Sequence, residues 1–378
     1  MLGVVLVVAL TVAALFVAPT LVLAQARPQT AGAVTVWVAD PLEKVLRSAR
    51  PPEACPAAVE IEGARNEWES GQIVVWSTQA LSGLRVAAGP LTGPNGYQIG
   101  PKSAREVQNW GASEQPSRPQ SGAVCCRFVG YVRVEKNSYM TPDEELLAKA
   151  PTEFPDPLLE DASINVPAEA AQPIWLTVHI PDDAPAGEYT GTVRVEWEGG
   201  RVDVPVRLRV WPFAVPRERH LYFTNWISVG ALSRWYRTEA YSDQFWHIFQ
   251  NYVANAAAHR QNIMWVSPRC IRVYREADGK YSFDFSTFDR WIEICERFGV
   301  ADRIEISQLG GFATDWGGKE IKLHDWTVTD RGSGKSEQVE AEQVLPSLLP
   351  ALQDHLRQRG WLERAVLHIA DEPSVNNL

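Results

Sequence analysis

Asp371 and Glu372, adjacent acids followed by Pro373, are the carboxylates whose setting could support acid–base chemistry. A carboxyl group that is poorly solvated and sits beside a like charge keeps its proton near neutral pH and can pass it to a leaving oxygen. For Glu372 that like-charged neighbour would be Asp371. The pair follows a short apolar run, residues 365–370, that reads as a buried strand. By strand alternation Val366, His368, Ala370 and Glu372 share one side, and Leu367, Ile369 and Asp371 the other. If the side bearing His368 is the interior, Glu372 points toward a polar axis. From these two residues alone, the plain alternative is that Asp371 caps the next turn and Glu372 is solvated.

Other side chains that could hold a ligand lie at equivalent places. Asn225 and Trp226 end one predicted strand, Gln308 ends another, and Trp316 and Trp326 fall in the long segment that follows. Each tryptophan could stack on a sugar ring or pack between loop and core. Asn225 and Gln308 could equally cap backbone. His259 and Arg260 close a helix, where cations offset the terminal dipole. The seven histidines are dispersed, with no His-x-x-x-His spacing, so no metal site and no cofactor is expected.

The elements that must position these residues fall into two regions. From residue 34 to about 210 the hydrophobic period is two. In residues 192–210, Val193, Val195 and Trp197 alternate with polar residues, Gly199-Gly200 intervenes, and Val202, Val204, Val206, Leu208 and Val210 alternate again. That is a hairpin on a half-buried sheet, with Pro205 suggesting an edge. Short runs at 34–38, 72–77, 84–88, 126–134 and 174–180 predict further strands, and residues 140–173, acidic and rich in proline, predict a long surface loop. Many short strands without a convincing helix predict a β-sandwich.

After Trp211-Pro212 the period changes, and strands alternate with helices. Residues 221–227, 263–266, 303–307 and 365–370 predict four strands. Helices are expected behind Ser242 or Asp243, behind Ser286 with Asp289 as a capping box and Gly299 as its stop, and along Leu345, Leu348, Leu349, Leu352 and Leu356, with Pro346 and Pro350 breaking the first turn. A hairpin is expected at Asp278-Gly279. Alternating strands and helices predict a parallel sheet with its ligand site beyond the strands' C-terminal ends. Four units in about 160 residues are half of a (β/α)8 barrel, which takes roughly 250. The expected fold is thus multidomain β plus α/β: an N-terminal β-sandwich over 27–213, then an incomplete TIM barrel over 214–378, as in a truncated chain or one whose remainder is another chain.

Residues 1–26 are read as a signal peptide, since an apolar run ends at Ala24-Gln25-Ala26, a small-x-small cleavage pattern. This predicts a secreted or periplasmic protein. The alternative is a retained membrane anchor, because the run is long enough to span a bilayer. The net charge of −10 and the lack of a Lys/Arg cluster argue against nucleic acid as a partner. Five cysteines, without C-x-x-C spacing, leave disulfides or buried thiols open.

Several stretches resemble glycoside hydrolase family 123. In the first region these are residues 64–75 (Ala-Arg-Asn-Glu-Trp-Glu-Ser-Gly-Gln-Ile-Val-Val), 154–159 (Phe-Pro-Asp-Pro-Leu-Leu) and 173–191. In the second they are residues 258–262 (Ala-His-Arg-Gln-Asn), Tyr281 to Phe285 with Phe288-Asp289-Arg290, and residues 367–373 ending in Asp-Glu-Pro. The resemblance implies a retaining β-N-acetylhexosaminidase, galactosaminidase-like, in which the substrate's own acetamido oxygen is the nucleophile, an exception to the two-carboxylate scheme. By position it implies that Asp371 holds the acetamido N–H and that Glu372 protonates the glycosidic oxygen and later activates water. The expected partner is a carbohydrate substrate. The competing expectation is a non-catalytic carbohydrate-binding protein or an inactive fragment.

Overall fold

The computed structural model describes residues 25–101, 123–313 and 320–373. The signal-peptide reading, and Trp316 with it, lie almost wholly or wholly outside these residues. In the first region the period-two pattern becomes two sheets. One is antiparallel and has six strands, in the order Thr152–Leu158, Ala123–Val134, Gln172–Ile180, Glu67–Ser77, Val34–Ala39 and Gln29–Ala31. The other runs Ile164–Val166, Leu81–Ala88, Gly187–Trp197, Gly200–Ala214 and Val59–Arg65, with two short strands, Leu91–Thr92 and Gln98–Ile99, attached at one side. Alternation decides which side chains are inside: Val202, Val204, Val206, Leu208 and Val210 all bury themselves. They share one core with Ile73, Val75, Ile174, Leu176 and Val178 of the other sheet.

Two expectations about this region need correction. Residues 140–173 are not one loop, because they contain Thr152–Leu158 and Ile164–Val166, one edge strand of each sheet. Proline hid the first, yet an edge strand tolerates it, having one side free of ladder bonds. Pro205 is not on an edge strand as a whole, since Gly200–Ala214 pairs on both sides. That strand's parallel partner Val59–Arg65 engages only from Val206 onward, so Pro205 stands just before the doubly paired stretch.

The second region holds four parallel strands and the helices between them. In chain order its elements are β1 (Thr224–Asn225), α1 (Val229–Tyr236), α2 (Asp243–Ala258), β2 (Ile263–Val266), β3 (Arg272–Arg275) and β4 (Tyr281–Asp284). They continue with α3 (Ser286–Arg297), β5 (Arg303–Ile306), β6 (Gly310–Phe312), β7 (Ile321–Leu323), β8 (Trp326–Asp330), β9 (Ser336–Val339), α4 (Ala341–Gln358) and β10 (Ala365–Leu367). The parallel sheet is ordered β1-β2-β5-β10. Met264, Val266, Ile304 and Ile306 pack from it against Phe249 and Val253 of α2, Trp291 and Ile292 of α3, and Leu348 and Leu352 of α4, forming a second core.

The long segment after the third parallel strand is more ordered than expected. β6 pairs with β7, and β8–β9 joins the β3–β4 hairpin in a four-stranded sheet, β4-β3-β8-β9. Trp326, expected in a loop, therefore sits on β8 and is buried. α4 is not broken by Pro346 and Pro350. Both face solvent, where water can satisfy the carbonyls they release, while Val344, Leu345, Leu348, Leu352 and Leu356 bury the opposite face. Ser242 caps α2 as expected, accepting from the Phe245 N–H. α3 is capped from outside: Asp284 Oδ1 accepts the Ser286 N–H at 2.9 Å, which holds that carboxyl below its ordinary range. Asp289, expected in a capping box with Ser286, instead reaches His355 of α4 at 2.6 Å. All five cysteines are free thiols, and burial pushes Cys270 up to about 12.

Candidate active site

Neighbouring residues in a parallel ladder point to the same face, so the register identifies what gathers on each side of the sheet. Asn225 pairs with Met264, Trp265 with Glu305, and Glu305 with Val366. Since Met264 faces the helices, Trp265, Glu305, Val366 and His368 occupy the other face, and Thr224 and Trp226 join them. This is the side on which alternation had grouped Val366 and His368.

Glu305 is at the centre of that face. It is 8% exposed and, among the described residues, is the one buried carboxylate. Its Oε2 accepts the Thr224 hydroxyl at 2.7 Å, and its Oε1 accepts the Trp226 indole N–H at 3.1 Å. His368 Nε2 lies 3.1 Å from the same Oε1. The Trp226 ring stands edge to face against Trp265 and His368, with centroids 6.2 and 6.5 Å away. A buried carboxylate is stable only with such donors around it. Sequence reasoning passed over Glu305, although an acid inside the run Arg303-Ile304-Glu305-Ile306 was itself a signal that a buried strand carries a polar group inward.

Beyond the C-terminal ends of these strands opens a cleft of about 370 Å³, lined by Trp226, Gln308, Gly310, Gly311, Phe312, His324 and Asp371. Trp226, Gln308 and Asp371, three of the residues singled out from sequence, meet there, each just past a parallel strand. Gly310 lets β6 and β7 approach closely at the edge of the cleft, since a Cβ there would stand 2.5 Å from the Lys322 carbonyl oxygen. Partial burial, with Arg269 nearby, holds the His324 imidazole below its usual range, which keeps it neutral at pH 7. Glu372 is exposed, with φ of +43°, and is not among the lining residues. The strand ends at Leu367, so alternation no longer governs where Glu372 points. Asn225 and Trp326 do not reach the cleft. Asn225 turns to the opposite face of β1 and donates to Gln261 Oε1 at 3.1 Å, while Trp326 packs in the core. Among the described residues no group of three His, Cys, Asp or Glu side chains converges as metal ligands.

β1 is only two residues long, and side chains supplement its short ladder. Asn262, fully buried, accepts the Phe223 N–H at 2.8 Å through Oδ1 and donates to the Leu221 carbonyl at 3.1 Å. Gln261 Nε2 donates to the carbonyls of Asn225 and Ile263. Arg219 anchors the approach, donating to the carbonyls of Gln261 and Gly299. His259 closes α2, its Nδ1 2.8 Å from the Asn255 carbonyl, and Arg260 donates to the Pro216 carbonyl. The Ala-His-Arg-Gln-Asn stretch is thus a bracket that fixes the start of β1, and with it Trp226.

Two family models match the chain: "Glycoside hydrolase 123, catalytic domain" over residues 226–378, and "Glycoside hydrolase 123 N-terminal domain" over residues 112–197. Among solved structures, a family 123 glycoside hydrolase from Clostridium perfringens, studied for glycolipid glycan hydrolysis, aligns with a TM-score of 0.70 at 13% identity. The alignment covers 91% of this chain and 59% of that one, so the chain spans less than two thirds of the length of this relative, and the likeness shows the fold. The CooA pilin subunit of enterotoxigenic Escherichia coli aligns with 48% of this chain and 99% of its own, at 12% identity and a TM-score of 0.23, too low to carry an argument. No curated protein matches. With both models drawn from one family and together spanning well over half of its residues, the chain belongs to glycoside hydrolase family 123.

Proposed function

We propose that this chain carries one side of the active site of a retaining β-N-acetylhexosaminidase, galactosaminidase-like, that works by substrate assistance. The observation that carries this reading is the cleft beyond the parallel strands, where Asp371 stands with Trp226 and Gln308. In this reading the four parallel strands are the first half of a barrel. Among the described residues the outer sides of β1 and β10 have no strand partner, and Leu221, Tyr222, Phe223, Val366 and Ile369 are exposed there. The two facing sheets form a β-sandwich over 27–213, the half-barrel occupies 214–378, and export past the cytoplasmic membrane follows the N-terminal signal. Among the described residues no helix is long and apolar enough to cross a membrane.

In the chemistry proposed, Asp371 accepts the acetamido N–H and orients the acetamido oxygen onto the anomeric carbon. That bond forms as the glycosidic bond breaks. Glu372 donates its proton to the departing oxygen, and then removes a proton from the water that opens the oxazolinium-like intermediate. Glu372 stands one residue beyond the cleft-lining Asp371 on exposed backbone, so it engages only when substrate and the remaining wall of the pocket surround it.

The test is hydrolysis of an aryl β-N-acetylgalactosaminide by the full-length protein. Glu372→Gln is expected to lower turnover by about 10²–10⁴-fold, and Asp371→Asn by about 10²–10³-fold. Unchanged turnover in Glu372→Gln would remove that residue from the mechanism. Quenching of tryptophan fluorescence by the sugar, with no hydrolysis at all, would mark a carbohydrate-binding protein instead.

A further inference from the structure

We infer that Glu305 is a positioning residue of this site: its buried carboxylate holds the Trp226 indole and the His368 imidazole in one fixed arrangement, and so presents the open face of Trp226 as the platform on which a sugar ring rests. The inference builds on the carbohydrate reading above but needs no hydrolysis. Three observations meet in it. Glu305 is buried at the middle of the sheet's inner face, and its partners come from both neighbouring sides, Thr224 and Trp226 from β1 and its end, and His368 from beyond β10. Among the described residues no Lys or Arg side chain bonds to it. Its cation-forming partner is His368, itself about a third exposed. Trp226, by contrast, remains 47% exposed although its N–H is consumed, and it lines the cleft beside Asp371.

The physical logic is that of a clamped aromatic. An indole whose N–H is tied to a buried carboxylate cannot rotate about its side-chain torsions without taking one donor from that carboxylate, which is costly away from water. The edge contacts with Trp265 and His368 restrict the ring further. The indole nonetheless stays about half exposed where it lines the cleft. A flat, apolar, immobile surface flanked by the carboxylate of Asp371 and the amide of Gln308 suits a pyranose, which offers an apolar C–H face and a polar rim of hydroxyl or acetamido groups. Glu305 itself, buried at the indole's N–H edge and not among the cleft-lining residues, acts through Trp226 and His368.

The experiment is calorimetric titration of the full-length protein with N-acetylgalactosamine, run with aryl-glycoside kinetics and thermal unfolding on the same samples. Glu305→Ala and Trp226→Ala are each expected to weaken sugar binding at least ten-fold, and Glu305→Gln, which keeps an acceptor for the indole N–H, to recover most of the loss. If hydrolysis is present, the Glu305→Ala defect should fall mainly on KM, because the platform contributes alike to ground state and transition state. Wild-type binding in Glu305→Ala, or a protein that binds no sugar at all, overturns the inference. So does a loss that follows the melting temperature and is not rescued by Glu305→Gln. Sugar binding that depends on Glu305 without turnover sustains it, and refutes the hydrolytic reading alone.

Discussion

At the scale of single residues, the site is organised by what is withheld from water and what is left in it. Glu305 is buried, Trp226 half-open and Asp371 partly buried. His324 adds a pH-dependent element. Its imidazole sits below its ordinary value through partial burial and the nearby Arg269. A base whose folded pKa is depressed favours the neutral form in the native state. Its contribution to stability is therefore intact above the unfolded value of about 6.5 and is lost as pH falls through the lower folded value. The cleft should gain a cation only in acid, and an NMR titration of His324 is expected to report a midpoint below 6.5. A midpoint above it would mean that Asp371 or Asp325 dominates its surroundings.

At the scale of elements, the position of the first strand depends on amides more than on a long ladder. Replacing Asn262 by alanine strands the Phe223 N–H beside a fully buried position, so we expect a loss of about 1–3 kcal/mol in urea unfolding, with weaker sugar binding as Trp226 loosens. The alternation of strand and helix was legible in the sequence because apolar spacing switches from two to helical after Trp211-Pro212, and the parallel strands at 263–266, 303–306 and 365–367 were read to within a few residues. The insertions were not legible. β3–β4 and β8–β9 pair with each other across 40 residues or more of chain, and no local pattern announces a partner that distant. Glu305 was missed for a related reason: its donors come from Thr224, Trp226 and His368, which only the sheet brings together. Asp371, Trp226 and Gln308 could be named because residues ending parallel strands share one rim whatever their loops do. Trp326 could not be excluded, because an indole suits core and cleft equally well.

At the scale of the whole molecule, the outer edges of β1 and β10 lack strand partners among the described residues and carry exposed Tyr222, Phe223, Val366 and Ile369. Such edges invite pairing with other chains. A polypeptide comprising residues 27–378 alone is expected to self-associate in light scattering at micromolar concentration, and a partner half carrying the other strands of the barrel, supplied in trans, should suppress this. A clean monomer would argue that these faces are tolerated in water and that the half-barrel reading is wrong. The two apolar cores have a separate consequence. One draws on residues between Ala31 and Val210, the other on residues between Ile227 and Ala365, and neither borrows from the other's stretch. Synthesis proceeds from the N-terminus at about 5–20 residues per second. The facing sheets can therefore finish folding while β1 is still emerging from the ribosome, so the site's first strand is added to a body that is already solid.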